Sequence, residues 1–296
     1  MNEAPAGRIA RPSFLDRPAV GAVLDALPGA RAVGGCVRDA LAGVASADVD
    51  VAAPLPPEEI ATRLRDAGLK VFETGLAHGT VTAVKDHEPV EVTALRRDLV
   101  TDGRHALVEW TTDWREDAAR RDFTINAMSL APDGSLYDYF AGRADLAAGK
   151  VRFVGDPDTR LAEDYLRALR FFRFQARYGA GEPDALAVAA IRRAVPGLAR
   201  LSAERVWMEL KRILGVADPV ATLALMRETG VLAAVLSHDG RPTPERLRAM
   251  VARDTGPAIA YQLDLHYVDV FTNARRTTAL FDPRGRGAWQ HSYDDE

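Results

Sequence analysis

The stretch from Gly34 to Asp39 reads Gly-Gly-Cys-Val-Arg-Asp, and Asp48-Val49-Asp50 follows nine residues after Asp39. The glycine pair joins an apolar stretch to a helix-like one, which predicts a tight turn from a strand into a helix. Asp48 and Asp50 alternate around an apolar residue, which predicts a strand with both carboxylates on one face. A chain with these two features is expected to fold around a small sheet with helices beside it.

Apolar alternation predicts five short strands, at residues 30–33, 49–52, 69–73, 80–85 and 90–94. An acidic first turn and the spacing of Ile60 and Leu64 predict a helix at 58–67. These elements predict a small mixed α/β sheet with helices on one side.

Beyond Asp158 the strand signals stop and helical periodicity replaces them, at 159–178, 183–195, 202–214 and 218–229, the last with Asp218 as N-cap before Pro219. We therefore predict an α/β head at 1–150 and an all-α region at 151–236. The remaining residues, 237–296, contain several prolines and only weak periodicity, which predicts a short atypical segment.

The segment from 96 to 120 contains few apolar residues and the acidic residues Asp98, Asp102, Asp113, Glu116 and Asp117. This composition is typical of an exposed connection, so we predict a loop that moves when substrate binds.

Composition limits the classes of protein that this chain can belong to. The chain has 296 residues, 47% of them hydrophobic, a formal charge of −4 and one cysteine, Cys36. One cysteine excludes an internal disulfide and a cysteine-rich zinc site, so any metal is expected to have oxygen ligands. The N-terminus lacks the apolar core of a signal peptide and no stretch is long enough to cross a membrane, which predicts a cytoplasmic protein with no membrane partner.

Asp48 and Asp50 form the candidate metal site, and Glu91, on a predicted neighbouring strand, adds a third carboxylate. Mg²⁺ is typically bound by one or two carboxylates together with water and phosphate oxygens. Two such ions would activate a hydroxyl nucleophile and neutralise a leaving pyrophosphate. The alternative is a solvent-facing strand with ordinary charges.

Gly34 and Gly35 would let the backbone approach a triphosphate, with Arg38 adding positive charge. The alternative is a simple tight turn, since both common phosphate-loop fingerprints are absent. Farther along, Arg120-Arg121-Asp122 precedes an apolar run, a costly arrangement unless these charges are paired or meet a ligand. The alternative here is a capped helix start.

The predicted helix at 159–178 has Asp164, Arg167 and Arg170 on one face, with Arg173 at its edge. Asp164 can accept a hydrogen bond from the exocyclic amine of cytosine or adenine while Arg167 donates to the ring acceptor. Uracil and guanine present the reverse pattern. The alternative is a solvated charged face with ion pairs three residues apart.

Taken together, these blocks resemble the class II tRNA nucleotidyltransferase and poly(A) polymerase family, most closely the bacterial CCA-adding enzymes. The resemblance extends from about Arg31 to Leu236. It includes Gly34 to Asp39, Asp48 and Asp50, the strand around Glu91, Thr101 to His105, Arg120 to Ala127, Asp138 to Gly142 with Asp145 and Leu146, and Glu163 to Arg170.

The resemblance implies a nucleotidyltransferase head like that of DNA polymerase beta, followed by a helical neck, body and tail. It implies that Asp48 and Asp50 hold Mg²⁺, that Gly35 and Arg38 contact the triphosphate, and that Arg121 and Asp122 lie near the ribose. Asp164, Arg167, Arg170 and Arg173 would select CTP and ATP, and the tRNA 3′ hydroxyl would be the nucleophile. No obligate protein partner is implied.

Two other functions stay open at this level. One is a poly(A) polymerase or A-adding enzyme of the same family, which the head motifs scarcely distinguish. The other is a noncatalytic RNA-binding relative with a truncated tail, since residues 237–296 match no part of the family pattern.

Overall fold

The computed structural model describes residues 4–46, 48–76, 79–101 and 106–236. The chain divides into two units between Asp156 and Pro157, and each unit is described by itself. The predicted segment at 237–296 lies outside the described residues.

A mixed sheet of eight strands forms the centre of the first unit, the head, in the order β1-β10-β9-β2-β3-β6-β5-β4. Its strands are β1 (Gly7–Arg8), β2 (Arg31–Val33), β3 (Asp50–Ala53), β4 (Lys70–Gly75), β5 (Thr80–Lys85), β6 (Glu88–Ala94), β9 (Met128–Leu130) and β10 (Ser135–Asp138). The pairing of β3 with β6 is parallel and the other described pairings are antiparallel. The predicted mixed α/β head is confirmed, with the short strands β1, β9 and β10 in addition to the five predicted.

Helices of the head are α1 (Pro18–Ala26), α2 (Gly35–Leu41), α3 (Pro57–Asp66), α4 (Trp114–Ala119) and α5 (Gly142–Ala147). The larger hydrophobic core combines α1, α2 and α3 with the inward side chains of β2, β3, β5 and β6. Alternation along the strands leaves the opposite face of the sheet available for polar side chains.

The segment at 96–120 is not the loop that its composition predicts. It contains strands β7 (Arg96–Thr101) and β8 (Ala106–Trp110), which pair antiparallel, and then α4, while residues 102–105 lie outside the described part. Asp113 caps α4 by accepting hydrogen bonds from the amides of Arg115 at 2.7 Å and Glu116 at 3.3 Å. Among the acidic residues that suggested a loop, Asp113 is the cap of a helix, and Glu116 and Asp117 are partners of nearby arginines.

Helices form the second unit, in agreement with the predicted all-α region. They are α6 (Pro157–Glu163), α7 (Leu166–Tyr178), α8 (Ala185–Ala194), α9 (Ala203–Leu214), α10 (Val220–Glu228) and α11 (Val231–Val235). Helix α7 packs against α9 and α10, and α6 packs against α8. Ser202 caps α9, and α10 begins one residue later than expected, at Val220.

The single helix predicted at 159–178 is wrong, because the helix is broken at Asp164 and Tyr165. The Asp164 carboxylate accepts a hydrogen bond from the amide of Leu166 at 3.0 Å. An aspartate that bonds a nearby backbone amide competes with helix continuation, so this contact favours a break at this position.

Candidate active site

The candidate carboxylates meet on the face of the sheet opposite the α1–α3 core. The parallel register of β3 and β6 places Asp50 directly beside Glu91. Both side chains are exposed, while the next residues along the strands, Val51 and Val92, are buried in the core. The sheet therefore presents two acidic side chains next to each other toward solvent.

Asp48 is not on the strand, because β3 begins at Asp50. It lies in the connection just before β3, with an exposed side chain, and its backbone oxygen accepts a hydrogen bond from Ser46 Oγ at 2.8 Å. The alternation predicted that one strand carries both aspartates. Instead, Asp48 lies in a loop and Asp50 is the first residue of a strand.

The three carboxylates interact electrostatically. Partial loss of hydration at the sheet surface raises the pKa of Asp50, the charges of Glu91 and Asp48 raise it further, and the charge of Arg121 opposes them. Their mutual repulsion would be relieved by a cation, and carboxylate oxygens are the ligand type that Mg²⁺ prefers. Among the described residues, no group of three or more His, Cys, Asp or Glu side chains forms a metal site by itself.

The glycine turn lies at the end of β2, next to β3. Gly34 has φ of 70° and ψ of −122°, a conformation that side-chain-bearing residues avoid, and its amide donates to the oxygen of Met128 at 3.3 Å. A Cβ atom at Gly34 would lie 3.0 Å from Arg121 Nη1. The turn therefore needs glycine both for its backbone and for the guanidinium packed against it.

Arg38 is a buried residue of α2, and its Nη2 atom lies 3.6 Å from the position that a Cβ atom would take at Gly35. Its guanidinium is buried, forms an ion pair with Asp39 at 2.8 Å and donates to Asn126 Oδ1. These contacts fix α2 against the short 3-10 helix Thr124–Asn126. Contact between Arg38 and a triphosphate stays a prediction.

Arg121 and Asp122 have different environments although they are neighbours in sequence. Arg121 is partly exposed, contacts the Gly34 turn and pairs with the buried Asp117 at 3.2 Å. The carboxylate of Asp122 is buried and accepts hydrogen bonds from the amide of Phe123 at 2.9 Å and from Asn126 Nδ2 at 3.0 Å. Arg121 thus faces the candidate site, while the Asp122 carboxylate stabilises the 3-10 helix.

In the helical unit, the proposed base-selecting residues are held by ion pairs. Asp164 pairs with Arg205 of α9 at 2.7 Å. Arg167 pairs with Glu163 and donates to the backbone oxygen of Arg160 at 3.0 Å. The carboxylate and the guanidinium are therefore oriented by the protein rather than merely solvated.

Arg170 and Arg173 flank one aromatic ring. The guanidinium carbon of Arg173 lies 4.2 Å from the ring centroid of Phe174 and that of Arg170 lies 5.7 Å away. Burial lowers the pKa of Arg173, while its ion pair with the buried Glu209 opposes this shift. Sequence reasoning gave no site role to Glu209 or Arg205, although their spacing of four residues on α9 places both on one face.

Family comparisons agree with this geometry. Residues 30–152 match the family described as "Poly A polymerase head domain", and residues 184–238 match the one described as "Probable RNA and SrmB- binding site of polymerase A". The first of these ranges contains the Gly34 turn and the carboxylates of Asp48, Asp50 and Glu91, which are called the acidic row below. The chain belongs to the class II tRNA nucleotidyltransferase and poly(A) polymerase family, as its motifs had indicated.

Individual relatives show the same likeness. The chain is 49% identical over 204 residues to the CCA tRNA nucleotidyltransferase 1, mitochondrial, of Danio rerio, covering 68% of this chain and 47% of that protein. The structure of the Bacillus stearothermophilus CCA-adding enzyme in complex with CTP matches with 29% identity and a TM-score of 0.70, over 86% of this chain and 66% of that one. A tRNA nucleotidyltransferase complexed with a primer tRNA and an incoming ATP analog matches with 30% identity and a TM-score of 0.62, over 75% and 63%.

The chain spans about half the length of the curated relatives it matches. Within the described ranges, no helix has the length and apolar character needed to cross a membrane.

Proposed function

We propose that this protein adds C and A from CTP and ATP to the 3′ end of tRNA and releases pyrophosphate. The observation that carries this proposal is the position of Asp50 beside Glu91, with Asp48 close by. Asp50 is the first residue of β3 and pairs with Val33, which precedes the Gly34 turn. Relatives named CCA-adding enzymes, one of them solved with CTP, support the choice of reaction.

In the proposed reaction, the 3′ hydroxyl oxygen of tRNA attacks the α-phosphorus of the nucleotide. The new phosphodiester bond forms as the bond to pyrophosphate breaks, and no covalent enzyme intermediate is needed. Asp48 and Asp50 would hold Mg²⁺, which supplies neutralisation of the phosphate charge and activation of the hydroxyl. Glu91 keeps negative charge beside them, and the bare backbone of Gly34 and Gly35 leaves room for the triphosphate.

Base selection is assigned to Asp164, Arg167, Arg170 and Arg173. Asp164 would accept from the exocyclic amine of cytosine or adenine, and Arg167 would donate to the ring acceptor. The ion pairs with Arg205 and Glu163 hold these two side chains at fixed orientations, which favours selection through hydrogen-bond pattern rather than size.

The proposed partners are the tRNA 3′ end, CTP and ATP, without a membrane or an obligate protein partner. We propose a cytoplasmic location for this protein. The matching Danio rerio protein is mitochondrial by name, so fractionation of the native protein between cytosol and organelle is the direct test.

The test of the function uses a tRNA that lacks its CCA end, Mg²⁺ and each labelled nucleotide in turn. We expect incorporation of C from CTP, followed by A from ATP, and neither U nor G. The Asp48→Ala variant should bind the same tRNA without incorporating nucleotides. Failure of the wild-type protein to add C would remove the proposal.

The description of the head family as that of a poly A polymerase favours one second candidate, an A-adding enzyme. That enzyme would extend a tRNA already ending in CC with ATP but would not use CTP. If the wild-type protein binds tRNA but incorporates no more nucleotide than Asp48→Ala, the noncatalytic RNA-binding function replaces both.

A further inference from the structure

A buried carboxylate outside the proposed machinery connects three parts of the head. Asp117 on α4 is only 2% exposed and has no position in the acidic row or the glycine turn. A buried carboxylate is costly unless it is paired and hydrogen-bonded. The partners of Asp117 therefore indicate which parts of the head this side chain holds together.

The two oxygens of Asp117 have different partners. Oδ1 accepts hydrogen bonds from Arg120 Nη2 at 2.7 Å and Nε at 3.0 Å, and from the amide of Arg96, the first residue of β7, at 3.3 Å. Oδ2 accepts from Arg121 Nη2 at 3.2 Å. One side chain therefore joins helix α4, the base of the β7–β8 hairpin and the guanidinium of Arg121.

The guanidinium of Arg121 contacts Asp117 on one side and the Gly34 turn of the candidate site on the other. Its Nη2 atom is bound by Asp117, while its Nη1 atom is next to Gly34, 3.0 Å from the position that a Cβ atom would take there. Its charge also reaches Asp50. Arg121 is thus held at one end by Asp117 and presented at the other end to the turn and the acidic row.

We propose that Asp117 is a positioning residue that orients Arg121 toward a nucleotide bound at the Gly34 turn. This inference rests on the proposed function, because it assumes that the turn binds a nucleoside triphosphate. Asp117 itself contacts no substrate. A free arginine side chain samples many rotamers, and fixing one nitrogen of its planar group removes most of that freedom before the ligand arrives.

Equilibrium binding of CTP, measured by calorimetry with the full chain in the presence of Mg²⁺, tests the proposal. Asp117→Asn should raise the Kd for CTP about tenfold, the loss expected when one charge-assisted hydrogen bond is misplaced. The matched control is Glu116→Gln, its neighbour on α4, which pairs with Arg97 and Thr111 instead of Arg121 and should leave the Kd unchanged.

A double-mutant cycle separates positioning from general stability. In an Arg121→Ala background, Asp117→Asn should have no further effect on the Kd, because the residue through which it acts is gone. Additive losses, or a lower melting temperature with an unchanged Kd, would overturn the proposal and leave Asp117 a purely structural residue.

Removal of a buried carboxylate can also prevent folding, and a second variant covers that case. Arg121→Lys keeps the positive charge and the buried Asp117, but one ammonium group cannot reach Asp117 and the Gly34 turn together. Arg121→Lys should weaken CTP binding about as much as Asp117→Asn. An unchanged Kd for CTP would refute the proposal that Asp117 positions Arg121. If the wild-type protein binds no CTP, the proposed function itself fails, and the positioning role fails with it.

Discussion

Replacement of Gly34 by alanine is the sharpest single test of the candidate site. The backbone at this position has φ of 70° and ψ of −122°, and the new Cβ atom would be 3.0 Å from Arg121 Nη1. Strain of this kind costs about 1–3 kcal/mol. The guanidinium of Arg121 must also move by a few tenths of an ångström, away from its orientation against the turn.

Two effects should therefore appear together in Gly34→Ala. The free energy of unfolding, measured by urea denaturation, should fall by about 1–3 kcal/mol. The Kd for CTP should rise at least about tenfold, since a displaced guanidinium loses a charge-assisted hydrogen bond to the nucleotide.

Gly68→Ala is the matched control. Gly68 also has positive φ, 81°, but a Cβ atom there would meet nothing within 4 Å. Its variant should lose about 1–2 kcal/mol of stability from the backbone alone and bind CTP like the wild type. A folded Gly34→Ala protein with wild-type CTP affinity would refute the assignment of the turn to nucleotide binding.

Three further predictions concern titration and base selection. Burial and the charge of Asp50 raise the pKa of the Cys36 thiol to about 11, so Ellman's reagent should modify the native protein far more slowly than the unfolded one at pH 8, and similar rates would refute this environment. Burial alone would raise the pKa of Asp117, but Arg120 and Arg121 outweigh it and lower the pKa. The stability advantage of wild type over Asp117→Asn should therefore be complete above the unfolded pKa of about 3.9 and shrink as the pH falls below it, as urea denaturation across pH 2–6 would show. Asp164→Ala should lose discrimination of CTP and ATP from UTP and GTP more than it loses triphosphate affinity, and an equal loss for all four nucleotides in incorporation assays would contradict a base-selecting role.

Local sequence was sufficient to predict an element where the residues that determine its structure lie within that element. The turn at the glycine pair, the strand at 80–85 and the helix at 202–214 depend on residues close together in the chain, and all were predicted from the sequence. The prediction of a loop at 96–120 was wrong because the pairing of its strands depends on tertiary contacts. Charged residues of this segment such as Arg97 and Glu109 are exposed but lie on paired strands that the local sequence does not display, opposite each other across the β7–β8 pair, so a charged composition was mistaken for a loop.

By itself, the sequence determined which residues are chemically able to act: the aspartates at 48 and 50, the glycine turn, and the arginines of the helical unit. Tertiary structure decided which of them meet. The parallel register of β3 and β6 brings Glu91 beside Asp50, 41 positions away along the chain, and the fold turns Arg38 inward and Arg121 toward the turn. Strand register and side-chain burial depend on packing between distant segments, whereas propensity and spacing record only near neighbours.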